Sequence, residues 1–415
     1  MPPIIDPAGW MLIVVTLILA SRWKVFAFDP KVRAIVLVAV LLRTLYSVAN
    51  VAAGPLFGLG VDAQEFHRAA VAFLNGGGIP GGPFSGYMYS AVIGVIYRLT
   101  GGGLLLGQQL SVLAVVLTAA SSVRIMRRLS VQPSRIKWAL AALLFFPAGV
   151  VFTSGLLREA FEQLVFVLIL ELALRLIDRP QSRTVVALIT TVALGGLLHR
   201  ALAVAGLVVA AASTLIALSI RRPLRADRAG SPLRIVPVVL ALVAIGGLSL
   251  PRLKLPYGVG PNTLAAASEY RLGAEPSRAD YLRFRPGYTI GLIDVPVVVG
   301  LYTISPLPWQ VESPADVVTA LESAMRLVLV ALLAFALIHV SRASSREFLR
   351  VFLLAGGWLT LELIWSVGTS NWGTATRHHL VGFPILLIVT TLAPPLFGRG
   401  PHSSQLLESR VISRS

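Results

Sequence analysis

The chain of 415 residues contains no cysteine. Disulfide bonds and metal sites built on thiolates are therefore excluded. Charged residues are also scarce, at 13% of the chain, whereas 56% of the residues are hydrophobic and the mean hydropathy is +0.79. Soluble globular proteins carry about a quarter charged residues, so this composition indicates an integral membrane protein.

Metal-binding and nucleotide-binding motifs are missing as well. The chain has no H-E-x-x-H zinc motif and no calcium loop rich in Asp and Asn. Its two glycine triplets, residues 76–78 and 101–103, do not precede the Lys-Ser or Lys-Thr pair of a phosphate loop. We therefore predict no cofactor, and Asp62 with Glu65 is the acidic pair to which a divalent cation could bind weakly.

Long apolar runs recur along the whole sequence, each close to the roughly 20 residues that a helix needs to cross a bilayer. They lie at residues 32–50, 104–123, 138–152, 161–177, 201–220, 235–250, 324–340 and 380–393. These runs predict an all-α integral membrane fold with about eleven transmembrane helices. Residues 1–400 form a single polytopic domain in this interpretation, and residues 401–415 form a disordered cytoplasmic tail.

The net charge of +17 would suggest a nucleic-acid partner in a soluble protein. Here the basic residues fall in short clusters between apolar runs, at residues 22–33, 124–137, 175–183, 221–234 and 342–350 and in the tail after residue 397. Cytoplasmic loops of membrane proteins are enriched in Lys and Arg, so we place all these clusters inside and predict no nucleic-acid partner. The N-terminus is then outside, and residues 51–103 and 251–316 form two large extracytoplasmic loops.

One apolar segment does not fit this predicted topology if it crosses the membrane. Residues 87–100 are short for a span, and a crossing there would place the basic cluster at residues 124–137 outside. The segment carries Tyr87, Tyr89 and Tyr97. We therefore predict an amphipathic helix in the extracytoplasmic interface, where aromatic residues are common.

Polar residues that lie outside the cytoplasmic clusters collect on this same outer side. Ionisable groups at the helix ends of a membrane bundle often mark a functional cavity, although scattered, solvated loop charges are the alternative. The predicted outer groups come from separate loops and include Asp62, Glu65, Arg158, His199, Arg200, Arg283, Arg285, Asn371, Arg377, His378 and His379.

The segment around Asp62 has two compatible interpretations. Apolar residues from Phe66 to Leu74 follow helical spacing, so a helix is expected to start near Asp62. Asp62 as the N-cap with Glu65 three positions later is a capping-box pattern. Alternatively, the Asp62 carboxylate is a general base held at the membrane surface beside a lipid-linked substrate.

Several segments resemble the GT-C glycosyltransferase superfamily, polytopic enzymes that take sugars from polyprenyl-phosphate carriers. The acidic D-A-x-x-F-H segment at residues 62–67 and the stretch YMYSAVIGVIYRLTG at residues 87–101 carry the resemblance. Shorter pieces are similar to bacterial membrane glycosyltransferases and polysaccharide polymerases: SGLLREA, SPLPWQ and GTATRHH, at residues 154–160, 305–310 and 373–379. Many family members have two adjacent acids in the first loop, whereas here Glu65 follows Asp62 by three residues.

The resemblance implies an inverting transfer, in which a base deprotonates the acceptor hydroxyl and cations hold the departing phosphate. Asp62 is then the candidate base, with Glu65 as the fallback. The implied phosphate-binding residues are Arg158, His199, Arg200, Arg377, His378 and His379, and the implied substrate-binding residues are Tyr87, Tyr89, Arg283, Arg285, Trp309 and Asn371.

Each of these assignments has a structural alternative. Arg158 and Glu162 have the i,i+4 spacing of an ion pair at a helix end. His199 and Arg200 could form a polar turn between two helices, and Trp309 could be an interface anchor. The arginines of residues 271–285 could contact lipid headgroups.

The implied donor is a polyprenyl-phosphate-linked sugar, and the implied acceptor is a cell-envelope glycan, glycolipid or protein at a bacterial plasma membrane. Membrane lipids are the other predicted partners. One alternative is an oligosaccharide polymerase or ligase that uses polyprenyl-diphosphate-linked glycans. Another is a lipid or solute transporter or flippase, which the concentration of polar groups at one face disfavours.

Overall fold

A computed structural model describes residues 6–54, 60–78, 88–221, 294–311, 314–369 and 372–394. These residues form α-helices and short 3-10 turns, with no strand in any of the described ranges. The helices are α1 (Pro7–Arg22), α2 (Pro30–Ala53), α3 (Gly60–Leu74), α4 (Met88–Thr100), α5 (Leu104–Arg128), α6 (Pro133–Phe145), α7 (Pro147–Ser154), α8 (Glu159–Asp178), α9 (Ser182–Leu198), α10 (Arg200–Arg221), α11 (Val295–Ile304), α12 (Pro314–Ala343), α13 (Ser345–Gly368) and α14 (Trp372–Thr390).

Five of the described helices are long and apolar enough to cross a membrane, namely α2, α5, α10, α12 and α13. A sixth span results if α6 and α7, which meet at a bend of 57°, count as one. The chain is thus an α-helical membrane protein, as its composition predicts. The larger number of about eleven crossings stays a prediction.

Helix α8 lies at the centre of the bundle and packs against α5, α9, α10 and α14. Phe166, Val167, Ile169 and Leu170 on this helix are completely buried. At 1.5 Å per residue, its 20 residues extend over about 30 Å, which is close to the thickness of a bilayer core. The two ends of α8 are therefore separated by about this distance.

The bend between α6 and α7 interrupts what the sequence presents as one apolar run. Pro147 begins α7 and has no N–H with which to continue the helical hydrogen bonds of α6. The buried Arg43 donates hydrogen bonds to the Leu144 carbonyl at 2.7 Å and to Thr153 Oγ1 at 3.1 Å, while Glu322 Oε1 accepts from Ala148 N at 2.9 Å. A cation thus lies at the carbonyl end of one helix and a carboxylate at the amide end of the next, which complements both helix dipoles.

Helices α3 and α4 form a pair that packs closely through Gly94. A Cβ added at Gly94 would lie 2.6 Å from the carbonyl oxygen of Ala70, so only glycine permits this approach. Tyr89 and Tyr97 of α4 are buried, at 1% and 2% exposure. Their rings therefore stabilise the α3–α4 pair, whereas the sequence suggested that they anchor the helix in the membrane interface.

The start of α3 differs from the capping-box expectation. The helix begins at Gly60 and Asp62 lies in its first turn, so Asp62 does not occupy the N-cap position. Its carboxylate extends instead towards α14, where it contacts Arg377.

Asp6 joins the beginnings of two helices. Its carboxylate accepts hydrogen bonds from Gly9 N of α1 at 2.9 Å and from Gly103 N and Leu106 N, at the start of α5, at 2.8 and 2.9 Å. One acidic side chain thereby caps both helices, and its negative charge is favourable at their positive N-terminal ends.

Candidate functional site

Five charged side chains from three helices meet at the start of α8, and we call this group the acidic cluster. It consists of Asp62 from α3, Arg158, Glu159 and Glu162 from the start of α8, and Arg377 from α14. Arg377 Nη1 is hydrogen-bonded to Asp62 Oδ2 and lies 3.7 Å from Glu159 Oε1. Arg158 Nε lies 3.1 Å from Glu162 Oε1, one helical turn away.

The local sequence explains how α8 presents its two acids. Glu159 is the first residue of the helix and Glu162 is in its first turn, so both lie on one side near the N-terminus. The helix dipole stabilises negative charge at this position. The alternative interpretation of Arg158 as a partner of Glu162 is consistent with this geometry.

One side of the acidic cluster is exposed to solvent, and the other side is buried. The Asp62 side chain is 48% exposed and that of Arg377 is 20% exposed, whereas those of Glu159 and Glu162 are only 5% and 1% exposed. Within the described part of the chain, the buried Glu159 Oε2 has no hydrogen-bond partner. Burying a carboxylate oxygen without a donor is costly, so this atom is suited to accept a hydrogen bond from a bound molecule.

A second group beside the acidic cluster contains two of the predicted histidines. The His378 ring stacks on Trp365, with centroids 4.8 Å apart, and His199 approaches both rings edge-on at 6.0 Å. His378 Nδ1 lies 3.0 Å from Thr369 Oγ1, and His199 Nδ1 accepts a hydrogen bond from Ala201 N at 3.1 Å. The tertiary structure thus brings the α9–α10 turn against α13 and α14.

His379 lies in a third environment, although it is adjacent to His378 in sequence. Its Nε2 lies 3.0 Å from the carbonyl oxygen of Tyr302, which can only accept, so Nε2 carries a proton. Its Nδ1 lies 2.9 Å from Glu362 Oε2. His379 and Glu362 therefore form a buried acid–histidine pair.

The other predicted site residues occupy different environments, and some of them lie outside the described residues. Glu65 is exposed on α3, and Arg200 is half-buried at the start of α10. Tyr89 is buried between Phe66 and Phe161, with ring centroids 5.6 and 5.4 Å away. Trp309 is 79% exposed. The predicted residues outside the described ranges are Tyr87, Arg283, Arg285 and Asn371.

His67 of the D-A-x-x-F-H segment has a packing contact. Its Nδ1 lies 3.3 Å from the Tyr97 hydroxyl of α4. Burial lowers the pKa of the His67 ring, so the ring is neutral at neutral pH. This histidine therefore helps to fix α3 on α4, and α3 in turn positions Asp62.

Sequence reasoning gave no site role to three buried acids, Glu159, Glu162 and Glu362. Glu159 follows Arg158 directly and Glu162 lies three residues further on, so two acids in the first turn of a helix were an available signal. Glu362 lies in the apolar C-terminal part of α13, where an ionisable residue is itself unusual. Its partner His379 comes from α14, which the spacing along the chain could not reveal.

The described residues contain no group of three or more His, Cys, Asp or Glu side chains placed to hold a metal ion. Asp62 and Glu65, the pair considered for a divalent cation, do not form such a group with any third described residue. Comparison of the chain with protein-family models, curated proteins and solved structures gives no match in any of the three.

Proposed function

We propose that this protein is a membrane glycosyltransferase that transfers a sugar from a polyprenyl-phosphate-linked donor to a cell-envelope acceptor. The observation that carries the proposal is the junction of Asp62, Glu159 and Arg377 at the start of α8. An accessible carboxylate and an arginine are groups that such a transfer requires, and the three residues come from three distant segments. The resemblance to the GT-C superfamily supports the same reaction.

In this mechanism, Asp62 is the catalytic base. The acceptor hydroxyl attacks the anomeric carbon, its proton passes to Asp62, and the bond between that carbon and the phosphate oxygen breaks. Polyprenyl phosphate leaves with the bonding electron pair, and the anomeric configuration inverts. Glu65 is the fallback base, because it is exposed one turn along α3.

The Asp62–Arg377 ion pair gives this mechanism a specific first step. A donor phosphate that binds the guanidinium of Arg377 competes with the Asp62 carboxylate for the same N–H groups. Donor binding therefore releases Asp62 from its partner at the moment when a base is needed. Arg377 then stabilises the charge that develops on the leaving phosphate.

Glu159 completes the arrangement on the buried side. Its Oε2 has no hydrogen-bond partner among the described residues, and its Oε1 lies 3.7 Å from Arg377 Nη1. We assign to it the task of accepting a hydrogen bond from a sugar hydroxyl. The Trp365 and His378 rings stack on each other nearby, on α13 and α14. We assign to their polar ring atoms further contacts with the sugar donor.

The proposed location is the extracytoplasmic face of a bacterial plasma membrane, with about eleven crossings, the N-terminus outside and the C-terminus inside. The basic clusters support this orientation, because they would all face the cytoplasm. The acceptor is then a glycan, a glycolipid or a protein of the cell envelope.

Transport is a second candidate, and the bend between α6 and α7 favours it. Broken helices form substrate sites in many transporters. In this protein, however, Arg43 and Glu322 already occupy the helix ends at the break. We therefore rank transport below transfer.

The test is sugar transfer by the purified full-length protein from a panel of polyprenyl-phosphate sugars to membrane extract, comparing wild type with Asp62→Asn. We expect the variant to lose about 100-fold or more in transfer rate, the usual contribution of a general base. Donor affinity should stay equal or increase, because asparagine competes less well with phosphate for Arg377. This separation of binding from chemistry is specific to the proposed mechanism.

Glu347→Gln is the matched control, because Glu347 is an exposed acid in the first turn of α13, at the opposite end of the bundle. Unchanged transfer by Asp62→Asn with loss in Glu65→Gln would move the base to Glu65. Activity only with diphosphate-linked oligosaccharides would identify a polymerase or ligase. Substrate flux in liposomes that survives Asp62→Asn, without any transfer, would identify a transporter.

A further inference from the structure

At the other end of α8, six arginines surround a cleft of about 990 Å³, which we call the basic cleft. They are Arg128, Arg175, Arg179, Arg183, Arg346 and Arg350. Asp178 is the acidic residue in the same wall. The cleft therefore has a strong excess of positive charge.

The arginines come from three of the basic clusters that the sequence places in the cytoplasm. Arg128 ends α5, the group from Arg175 to Arg183 lies at the α8–α9 junction, and Arg346 and Arg350 lie in the first turns of α13. The positive-inside rule explains why each cluster is basic, but it does not require them to share a cavity. Their convergence is a property of the tertiary structure.

The acids at this end are already engaged by several arginines each. Asp178 pairs with both Arg128 and Arg350, and Arg346 Nη2 lies 3.7 Å from the same carboxylate. Glu171 similarly contacts both Arg124 and Arg175. One negative charge cannot neutralise several guanidinium groups, so positive potential remains in the basic cleft.

We propose that the basic cleft is a binding site for a phosphate-bearing anion, either the headgroup of an anionic lipid or a soluble phosphate compound. The planar guanidinium group binds phosphate oxygens through two parallel hydrogen bonds. Basic pockets between helices on the cytoplasmic side of membrane proteins bind phospholipid headgroups in this manner. A volume of about 990 Å³ is that of a ligand site, large enough for a whole headgroup.

This site is independent of the proposed glycosyl transfer. It lies at the opposite end of α8 from the acidic cluster, about 30 Å away by the helix rise. None of its arginines belongs to the residues that we assign to the transfer reaction.

The test uses the full-length protein in a neutral detergent and measures ligand binding by calorimetry. The probes are short-chain phosphatidylglycerol, short-chain phosphatidylcholine and inorganic phosphate. The key variant replaces Arg179, Arg183 and Arg346 together by Gln, because these side chains are exposed and the closer ion pairs of Asp178 with Arg128 and Arg350 remain. The control replaces the exposed Arg22, Lys31 and Arg342, which lie outside the cleft, by Gln.

We expect phosphatidylglycerol to bind wild type and the control triple variant with equal affinity, and the key variant roughly 100-fold more weakly, given the usual contribution of each basic residue. A matching triple Arg→Lys variant keeps the charge but loses the planar guanidinium groups, so its affinity should lie between those of wild type and the key variant. Phosphatidylglycerol binding without phosphate binding identifies a lipid headgroup, and equal binding of both identifies a soluble phosphate compound. Equal affinity of the key variant and wild type, or equal binding of phosphatidylcholine, would overturn the proposal.

Discussion

The two ends of α8 differ in the sign of the charge that is in excess there. At the N-terminal end, Asp62, Glu159 and Glu162 outnumber Arg158 and Arg377. At the C-terminal end, Glu171 and Asp178 are outnumbered by their five arginine partners, Arg124, Arg128, Arg175, Arg346 and Arg350. The same helix thus presents excess acid at one end and excess base at the other.

The hydrogen-bonding states of the acids differ in the same way. Glu171 accepts bonds from Ser121 and from Arg124, whose two nitrogens each lie 2.8 Å from a carboxylate oxygen. Glu159 Oε2, in contrast, is buried with no partner in the described ranges. The comparison teaches that the C-terminal acids are satisfied structural groups, whereas the N-terminal acids retain capacity for a ligand.

The largest expected effect comes from making the same substitution at both ends. Glu171→Gln removes a buried charge that two arginines contact, and we expect it to lower the free energy of unfolding by about 2–3 kcal/mol. Glu159→Gln removes a poorly satisfied buried charge, so the free energy of unfolding should change by less than about 1 kcal/mol. Equilibrium unfolding in detergent micelles measures both, and an equal loss in the two variants would remove the distinction between the ends.

The next prediction concerns the helix that carries Asp62. In Gly94→Ala, the new Cβ would meet the Ala70 carbonyl at 2.6 Å, and relief of this contact moves α3 away from α4. We expect the free energy of unfolding to fall by about 1–3 kcal/mol. Transfer activity should fall by a larger fraction than the stability does, because Asp62 moves with α3.

Gly300→Ala is the matched control for that change, because a Cβ at Gly300 of α11 meets no atom within 4 Å. Unfolding and transfer assays on both variants distinguish a local shift of α3 from a general effect of removing a helical glycine. Full transfer activity in Gly94→Ala would show that the position of α3 does not limit the reaction.

The smallest expected effect is the coupling between Asp62 and Arg377. In a double-mutant cycle with Asp62→Asn and Arg377→Gln, we expect a coupling energy of about 0.5–1 kcal/mol in stability, because Asp62 is half exposed. Such a weak pair is easily opened by a donor phosphate, whereas the pairs of Glu171 are not. A coupling of about 3 kcal/mol or more would argue against release of Asp62 on donor binding.

Several elements of the fold could be predicted from the sequence, with informative exceptions. The apolar run at residues 104–123 corresponds to α5, and the short segment before it corresponds to α4. The run at residues 138–152 was expected to be continuous, yet it breaks before Pro147. The buried charges of Arg43 and Glu322, which stabilise this break, come from distant helices that periodicity does not connect.

Only some members of the candidate site could be predicted from the sequence, and their pairing could not. Asp62 and Arg377 were both expected there, and the structure joins them. His378 and His379 were expected to act together, but successive residues of a helix point in directions about 100° apart. They therefore belong to different groups, one beside Trp365 and the other beside Glu362.

The sequence by itself determined that this chain is a helical membrane protein, because apolar length and scarce charge are read directly from residue order. It also determined which loops are basic. Only the tertiary structure decided that Asp62, Glu159 and Arg377 meet at one end of α8 and that three basic loops enclose one cleft at the other. The physical reason is that charge pairing depends on side-chain distances of a few ångströms, and helix packing sets those distances between residues far apart in the chain.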